Sequence, residues 1–301
     1  MSLRSLIEHD YVRAIALFVL TFISVLFTYA YLWVEGEPMA PESLYQASLF
    51  AVALMSTLLA HEFAHYFVAK RHGFSTSLPL FIPFPLAFGT LGAIIRLDSE
   101  PESRGALLEM GAAGPIAGFV VAVGCLFVGL PSTESIPLDS ASEVFLGVDV
   151  VTIFANPSVM DLVGEATTGA APGILDRLSP VALAGWVGCF LTAMNMLPIG
   201  QLDGGHIMSA VSPRFSRIIS KFTLLAMVTI GWYFWLGWTV WGAIIYFTGA
   251  SEGLDIERET HLKARSWLCC FMAALAFSLS FMISPVTEME VAEIVLEGSG
   301  R

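Results

Sequence analysis

The sequence predicts an all-α, multi-pass membrane protein: about six transmembrane helices around a three-helix core, with one membrane-associated, β-hairpin-like segment. Three observations predict it. Of 301 residues, 56% are hydrophobic and 13% charged, whereas a soluble domain carries about 25% charged residues. Apolar runs near the ~20 residues that cross a bilayer recur along the chain. Lysine and arginine gather in alternate connections, the pattern that marks the cytoplasmic side.

The first apolar run, roughly 14–34, is long enough to span and lacks a small-residue cleavage site. It therefore reads as a retained span rather than a removed signal. A second run covers about 45–70 and a third about 105–130. A fourth starts near Val181 and runs into Asn195-Met-Leu-Pro198, a fifth lies within 221–249, and a last is near 267–284. Arg4 and Arg13 precede the first span; Lys70, Arg71, Arg96 and Arg104 separate the second from the third; Arg214, Arg217 and Lys221 follow the fourth. The other connections are acidic, with Glu35, Glu37 and Glu42, then Glu134, Asp139, Glu143, Asp149, Asp161 and Glu165. This asymmetry places the N-terminus in the cytoplasm. Phe222 to Tyr246 reads either as one long tilted helix or as two short ones meeting at Leu236-Gly237-Trp238. The count is accordingly six or seven spans. The side taken by the loop with Arg258, Lys263 and Arg265, and by the acidic C-terminal tail, stays open.

Two stretches are not plain spans. Residues 78–97 contain three prolines and Gly89-Thr90-Leu91-Gly92, which rule out a regular helix. Their apolar flanks predict extended segments around a turn, dipping into the bilayer where protein covers them. Residues 131–180 form a polar, acidic loop punctuated by proline and glycine, too short for an independent domain. The chain thus divides into a first span and outer loop (1–44), a core containing that loop (45–210), and C-terminal helices with an acidic tail (211–301).

A formal net charge of −12 argues against a nucleic-acid partner. Cys125, Cys189, Cys269 and Cys270 lie in apolar runs without a C-x-x-C pair, which predicts packing rather than disulfides or a zinc finger. Trp232, Tyr233, Trp235, Trp238 and Trp241 suit helix packing or an interfacial belt.

The second span contains His61-Glu62-Phe63-Ala64-His65. Residues i and i+4 share a helix face, so the two imidazoles can hold one zinc ion. Glu62, to the side of that face, can act as a general base on water. Chance alone gives roughly 0.007 such matches in a chain of this composition. Ionisable groups inside an apolar span are expensive, and a bound dication supplies the compensation. Three protein ligands are usual for catalytic zinc. The best candidate for the third is Asp203, where proline and glycine break the fourth run in Asn195-Met-Leu-Pro198-Ile-Gly-Gln-Leu-Asp203-Gly204-Gly205. Such breaks at membrane depth line cavities. His206 is the competing ligand. Asn195 can bind a peptide backbone or a developing oxyanion, or equally make an interhelical hydrogen bond. Gly114-x-x-x-Gly118 in the third span serves close helix packing or substrate contact.

His61-Glu62-x-x-His65 in an early span, followed by Asn195-x-x-Pro198-x-x-x-Leu202-Asp203-Gly204 in a later one, resembles the site-2 protease family of intramembrane zinc metalloproteases. Gly111-Ala-Ala-Gly114-Pro115-Ile-Ala-Gly118 is similar to that family's small-residue motif. The resemblance covers roughly 45–210, the three-helix catalytic core. It implies that His61, His65 and Asp203 bind a single zinc ion, that Glu62 activates water, and that Asn195 helps hold substrate. It also implies that 78–97 offers a strand edge to an unwound substrate, and that substrates are single-span membrane proteins, often already clipped by another protease. The loop 131–180 looks too small for the PDZ domain of many bacterial members. The oligomeric state is not readable from the sequence.

His65 lies about 8 Å, and His61 about 14 Å, along the helix from Lys70. The centre is therefore expected inside the cytoplasmic half of the bilayer. Water must reach it through a polar channel, whose mouth Arg96, Asp98 and Glu102 can line. A metal transporter would string polar residues along its spans, and an inactive scaffold would have lost the glutamate or a ligand; neither pattern is present.

Overall fold

A computed structural model describes residues 3–34, 37–96, 103–135, 150–173, 176–251 and 261–290. Glu35, Asp98, Glu102, Asp139, Glu143, Asp149, Arg258 and the end of the acidic tail lie outside the described residues.

Helices α1 (Leu3–Leu32) and α2 (Pro41–Arg71) form the first hairpin. Pro41 opens α2 where a missing N–H costs nothing, and Lys70 and Arg71 in its last turn complement the helix dipole. The expected extended segments follow as β1 (Leu80–Pro83) and β2 (Thr90–Ile94), paired antiparallel with Leu80 opposite Ile94 and an irregularity between Phe81 and Pro83. The hairpin lies against α1. A Cβ on Gly89, at φ +86°, would collide with the backbone of Val25, so only glycine lets the two chains meet there. The Trp33 indole donates to the Ala87 carbonyl (2.9 Å) and stacks on Phe88, which pins the hairpin turn to the end of α1.

Helix α3 (Arg104–Gly129) is capped by the Ser103 hydroxyl, which accepts from the Ala106 amide. The stretch 131–180 is more than a loop: it contains β3 (Val150–Phe154) and α4 (Ser158–Thr168). Helix α5 (Pro180–Asn195) begins with Ser179 as its cap and a proline in its first turn. It ends where Pro198 and Gly200 break the run, and α6 (Asp203–Val211) restarts it. Then come α7 (Pro213–Tyr233), α8 (Leu236–Phe247), α9 (Ala264–Ser280) and β4 (Val286–Glu290). β4 pairs antiparallel with β3, from Val150 opposite Glu290 to Phe154 opposite Val286.

The all-α expectation is therefore modified by two small antiparallel sheets, and the expected set of six spans by helix length. Among the described residues, four segments are long and apolar enough to cross a bilayer: 10–32, 41–71, 104–132 and 213–233. The expected fourth and last spans are helices of 16 and 17 residues. The expected fifth is a hairpin of α7 and α8, broken at Trp235, which is extended at φ −160°. Gly231 permits this turn, since a Cβ there would strike Thr239. Helix α8 is only 12 residues, about 18 Å. The chain just beyond it rests on the α5–α6 break, where the Gln201 amide donates to the Ala250 carbonyl (2.8 Å). Helix α9 starts beside the end of α2 and the beginning of α3: Arg265 and Ser266 bond Glu109, as does His72. Basic residues from three connections thus gather at one end of the bundle, and the β3–β4 sheet lies at the other.

Helices α2, α3 and α5 form the buried centre. Gly185 and Gly188 of α5 face Ala122 and Leu126 of α3, and a Cβ on Gly185 would lie 2.8 Å from the Ala122 carbonyl oxygen. Outer faces carry large exposed apolar groups such as Phe222, Trp232 and Phe271, a surface suited to lipid rather than water. Gly185→Val is expected to destabilise the fold by about 1–3 kcal/mol through overpacking. Gly124→Val, where nothing lies within 4 Å of the added carbon, should be near neutral in the same unfolding experiment in detergent.

Candidate metal centre

Helix α2 places His61 and His65 one turn apart, as their i, i+4 spacing requires. The turn that breaks the fourth apolar run delivers Asp203 to them at the start of α6. His61 Nε2 lies 3.2 Å from Asp203 Oδ2, His65 Nε2 lies 3.3 Å from Asp203 Oδ1, and the two Nε2 atoms are 3.1 Å apart. One nitrogen or oxygen from each residue converges on a common point. Four ligands placed tetrahedrally at about 2.0–2.1 Å from zinc stand about 3.3 Å from one another. The donor set and its spacing therefore fit a zinc ion with a further position left over for water or substrate.

The imidazole of His65 is oriented from behind. Its Nδ1 lies 2.8 Å from the Met110 carbonyl oxygen. A carbonyl oxygen only accepts, so Nδ1 carries the proton and Nε2 keeps its lone pair for the metal. Helix α3 can come this close because of its glycines. A Cβ on Gly114 would overlap the His65 ring, and one on Gly118 would lie 3.2 Å from His61 Nδ1. These glycines therefore make room for the two imidazoles, a purpose beyond helix-to-helix packing. Gly111 is similarly crowded by the Asp203 carbonyl and His206 (3.1 Å each).

Asp203 is held through its helix. Gly204 and Gly205 lie directly against the carbonyls of Met196, Ile199 and Gly200, so the broken segment coils tightly onto the start of α6. At the other end of α6, Arg104 donates to the carbonyls of Ala210 (2.6 Å) and Val211. A guanidinium there satisfies the last-turn acceptors and complements the dipole of the helix that carries the carboxylate.

Glu62 is buried beside the two histidines and makes no hydrogen bond or ion pair among the described residues. It is free to take a proton. Asn195 ends α5 at the break, and its amide likewise has no partner among the described residues, so the alternative of an interhelical hydrogen bond has no support here. His206 is outside the converging set; its Nδ1 is buried without a partner among the described residues, one turn below Asp203. Arg96 is described but lies at the base of the β1–β2 hairpin, its amide bonded to the Ser77 hydroxyl.

Sequence reasoning missed two supports. Arg104 was read only as a charge marking a side of the membrane. Glu109 was not singled out, although a carboxylate within an apolar run is itself a signal. It accepts from Arg265 (2.6 and 3.0 Å) and Ser266 (2.9 Å) and pairs with His72 (3.0 Å), which joins α2, α3 and α9 one residue from Met110.

Gly114→Ala is expected to push the His65 ring aside and weaken zinc binding by about 10–100-fold. Competition against a chromophoric chelator measures this. Gly124→Ala, in open surroundings on the same helix, should leave the affinity unchanged.

Residues 49–237 match the family model for Peptidase family M50. The chain is 32% identical over 234 residues to the probable zinc metalloprotease EGY1, chloroplastic, of Arabidopsis thaliana, covering 74% of this chain and 41% of that protein. It is 28% identical over 233 residues to the probable zinc metalloprotease EGY2, chloroplastic, of Oryza sativa subsp. indica, covering 76% and 41%. The chain spans about two fifths of the length of these relatives. No solved structure matches it. The matched segment takes in more than half of the chain and all three converging ligands, and the chain belongs to Peptidase family M50, the site-2 protease family.

Proposed function

We propose that this chain is an intramembrane zinc metalloprotease that hydrolyses peptide bonds within or beside the spans of single-span membrane proteins. The observation that carries the reading is the convergence of His61, His65 and Asp203 inside an apolar bundle, with an uncommitted glutamate beside them. Family membership and the zinc metalloprotease names of the relatives support it.

Bound by these three residues, zinc supplies Lewis-acid polarisation of a carbonyl and lowers the pKa of water. Glu62 takes the proton of the attacking water and passes it to the leaving amine. Asn195 offers its amide to the substrate backbone or to the oxyanion. A helical substrate hides its carbonyls in hydrogen bonds, so it must unwind to be cut. Among the described residues the β1–β2 sheet has two strands, and the edge of β2 can take the unwound segment as a third strand, with backbone bonds giving affinity at little cost in sequence choice. Substrates that another protease has already trimmed suit such a site.

The gathering of Arg71, Arg104, Lys263 and Arg265 at one end supports a cytoplasmic assignment for that end. On this reading α7 and α8 form a re-entering hairpin, α9 starts on the cytoplasmic side, and β4 reaches the outer side. The metal centre then lies in the cytoplasmic half of the bilayer, about 8–14 Å from Lys70 along α2. Residues 45–210 act as the catalytic unit, flanked in sequence by 1–44 and 211–301.

Glu62→Gln should retain one zinc per chain, by elemental analysis of purified protein, and should abolish cleavage of a reconstituted single-span substrate. Wild-type turnover by Glu62→Gln sinks the mechanism.

A further inference from the structure

Three histidines follow one another along one face of α3. Gly118 stands against His61, Gly114 against the His65 ring, and Gly111 against His206, whose Cβ is 3.1 Å from the place a Cβ on Gly111 would take. Positions 111, 114 and 118 share a helix face. Gly111 and Gly114 differ by about 4.5 Å in rise, so His206 joins the row one step beyond His65, on the side of the basic end. On α6, His206 is three residues after Asp203. Helix side chains lean towards the N-terminus, which carries its imidazole back towards the carboxylate. The ring is within electrostatic reach of both Asp203 and His65. It is still outside the set of converging ligands.

Hydrogen bonding separates His206 from the other members of the row. His65 gives its Nδ1 proton to the Met110 carbonyl and so presents a lone pair at Nε2. At His206, Nδ1 is buried and meets no acceptor among the described residues. A proton there would be stranded, and orphaned buried donors are rarer than unfilled acceptors. The neutral ring therefore keeps its proton on Nε2, the opposite tautomer from His65. Nε2 is not sealed in this way and has no partner among the described residues. Where the ligating imidazole of His65 offers a lone pair, His206 offers a donor.

The acceptor for such a donor arises in the reaction. As the water oxygen bonds to the scissile carbonyl carbon, Glu62 takes the water proton and the π pair of the C=O bond moves onto the carbonyl oxygen. That oxygen then carries a negative charge, and a fixed N–H is worth more to it than to the uncharged carbonyl. We propose that His206 is a further catalytic residue, whose Nε2–H donates to this oxyanion. The imidazole passes no proton and stays neutral through the cycle. The inference rests on the proteolytic reading and names one donor that the site would use.

The test uses the full chain in phosphatidylcholine nanodiscs, with a fluorogenic single-span peptide as substrate. His206→Ala should lower kcat about 100-fold, with KM and zinc affinity unchanged. His206→Gln, which keeps an N–H donor, should recover about tenfold of that loss. A second measurement needs no turnover. A phosphinic analogue of the peptide carries tetrahedral, anionic oxygens in place of the scissile carbonyl, and His206→Ala should weaken its binding by about the same factor as kcat/KM. Binding of the unaltered amide peptide to Glu62→Gln should be the same with and without His206→Ala. An undiminished kcat in His206→Ala would overturn the proposal. So would equal weakening of the amide and phosphinic peptides, or loss of zinc from His206→Ala, which would make His206 a support of the metal centre instead. If the wild-type chain cuts no peptide, the proteolytic reading fails, while the comparison of phosphinic with amide peptide still decides on His206.

Discussion

One hydrogen bond, from His65 Nδ1 to the Met110 carbonyl oxygen, ties the metal-binding face of α2 to α3, and much of the bundle is arranged so that the two helices can lie this close. Gly114 and Gly118 leave space for the imidazoles. Gly185 and Gly188 let α5 close on the opposite side of α3, which fixes where the α5–α6 break falls and hence where Asp203 arrives. Helix α3 also supplies Arg104 to the far end of α6 and Glu109 to the ends of α2 and α9. Bringing two imidazoles and two carboxylates into an apolar interior is unfavourable unless they are paired or neutralised. A dication among three of them resolves that conflict, and the remaining carboxylate, Glu62, is left available for proton transfer.

What the sequence disclosed follows from the range of the interactions. The pairing of His61 with His65 is local, because a helix puts i and i+4 on one face. Asp203 was readable because proline and glycine interrupt an apolar run around a carboxylate, a pattern that makes sense only beside a cavity. The β1–β2 hairpin was readable from its prolines and glycines. The features that stayed hidden are long-range. Nothing in Val150–Phe154 announces a partner at Val286–Glu290, and a short strand without its partner is indistinguishable from an acidic loop. The competition between packing and substrate contact at Gly114 could not be decided until the imidazoles were seen against it. The runs from Val181 and at 267–284 mark α5 and α9 closely, but these helices have 16 and 17 residues, short of the ~20 that cross a bilayer. Of the two readings of Phe222 to Tyr246, the broken one holds, with the extended residue at Trp235 immediately before Leu236-Gly237-Trp238.

The two ends of the bundle are chemically distinct. One carries the basic residues and the buried Glu109 cluster that joins three helices. The other carries β3, β4, α4 and an acidic, aromatic cavity. The metal centre lies between them, nearer the basic end. This polarity gives the β1–β2 hairpin a direction: its turn is anchored at Trp33 beside the cavity, and its base is tied by Ser77 to Arg96 near the end of α2.

The central claim is that His61, His65 and Asp203 form a single zinc centre. X-ray absorption at the zinc edge of purified, zinc-loaded protein tests it most directly. The account predicts two imidazole nitrogens at about 2.0–2.1 Å together with carboxylate or water oxygen at about 2.0–2.2 Å. It also predicts that the imidazole signal is reduced in His65→Ala. A sulfur shell at about 2.3 Å, or an all-oxygen shell without imidazole, would contradict it.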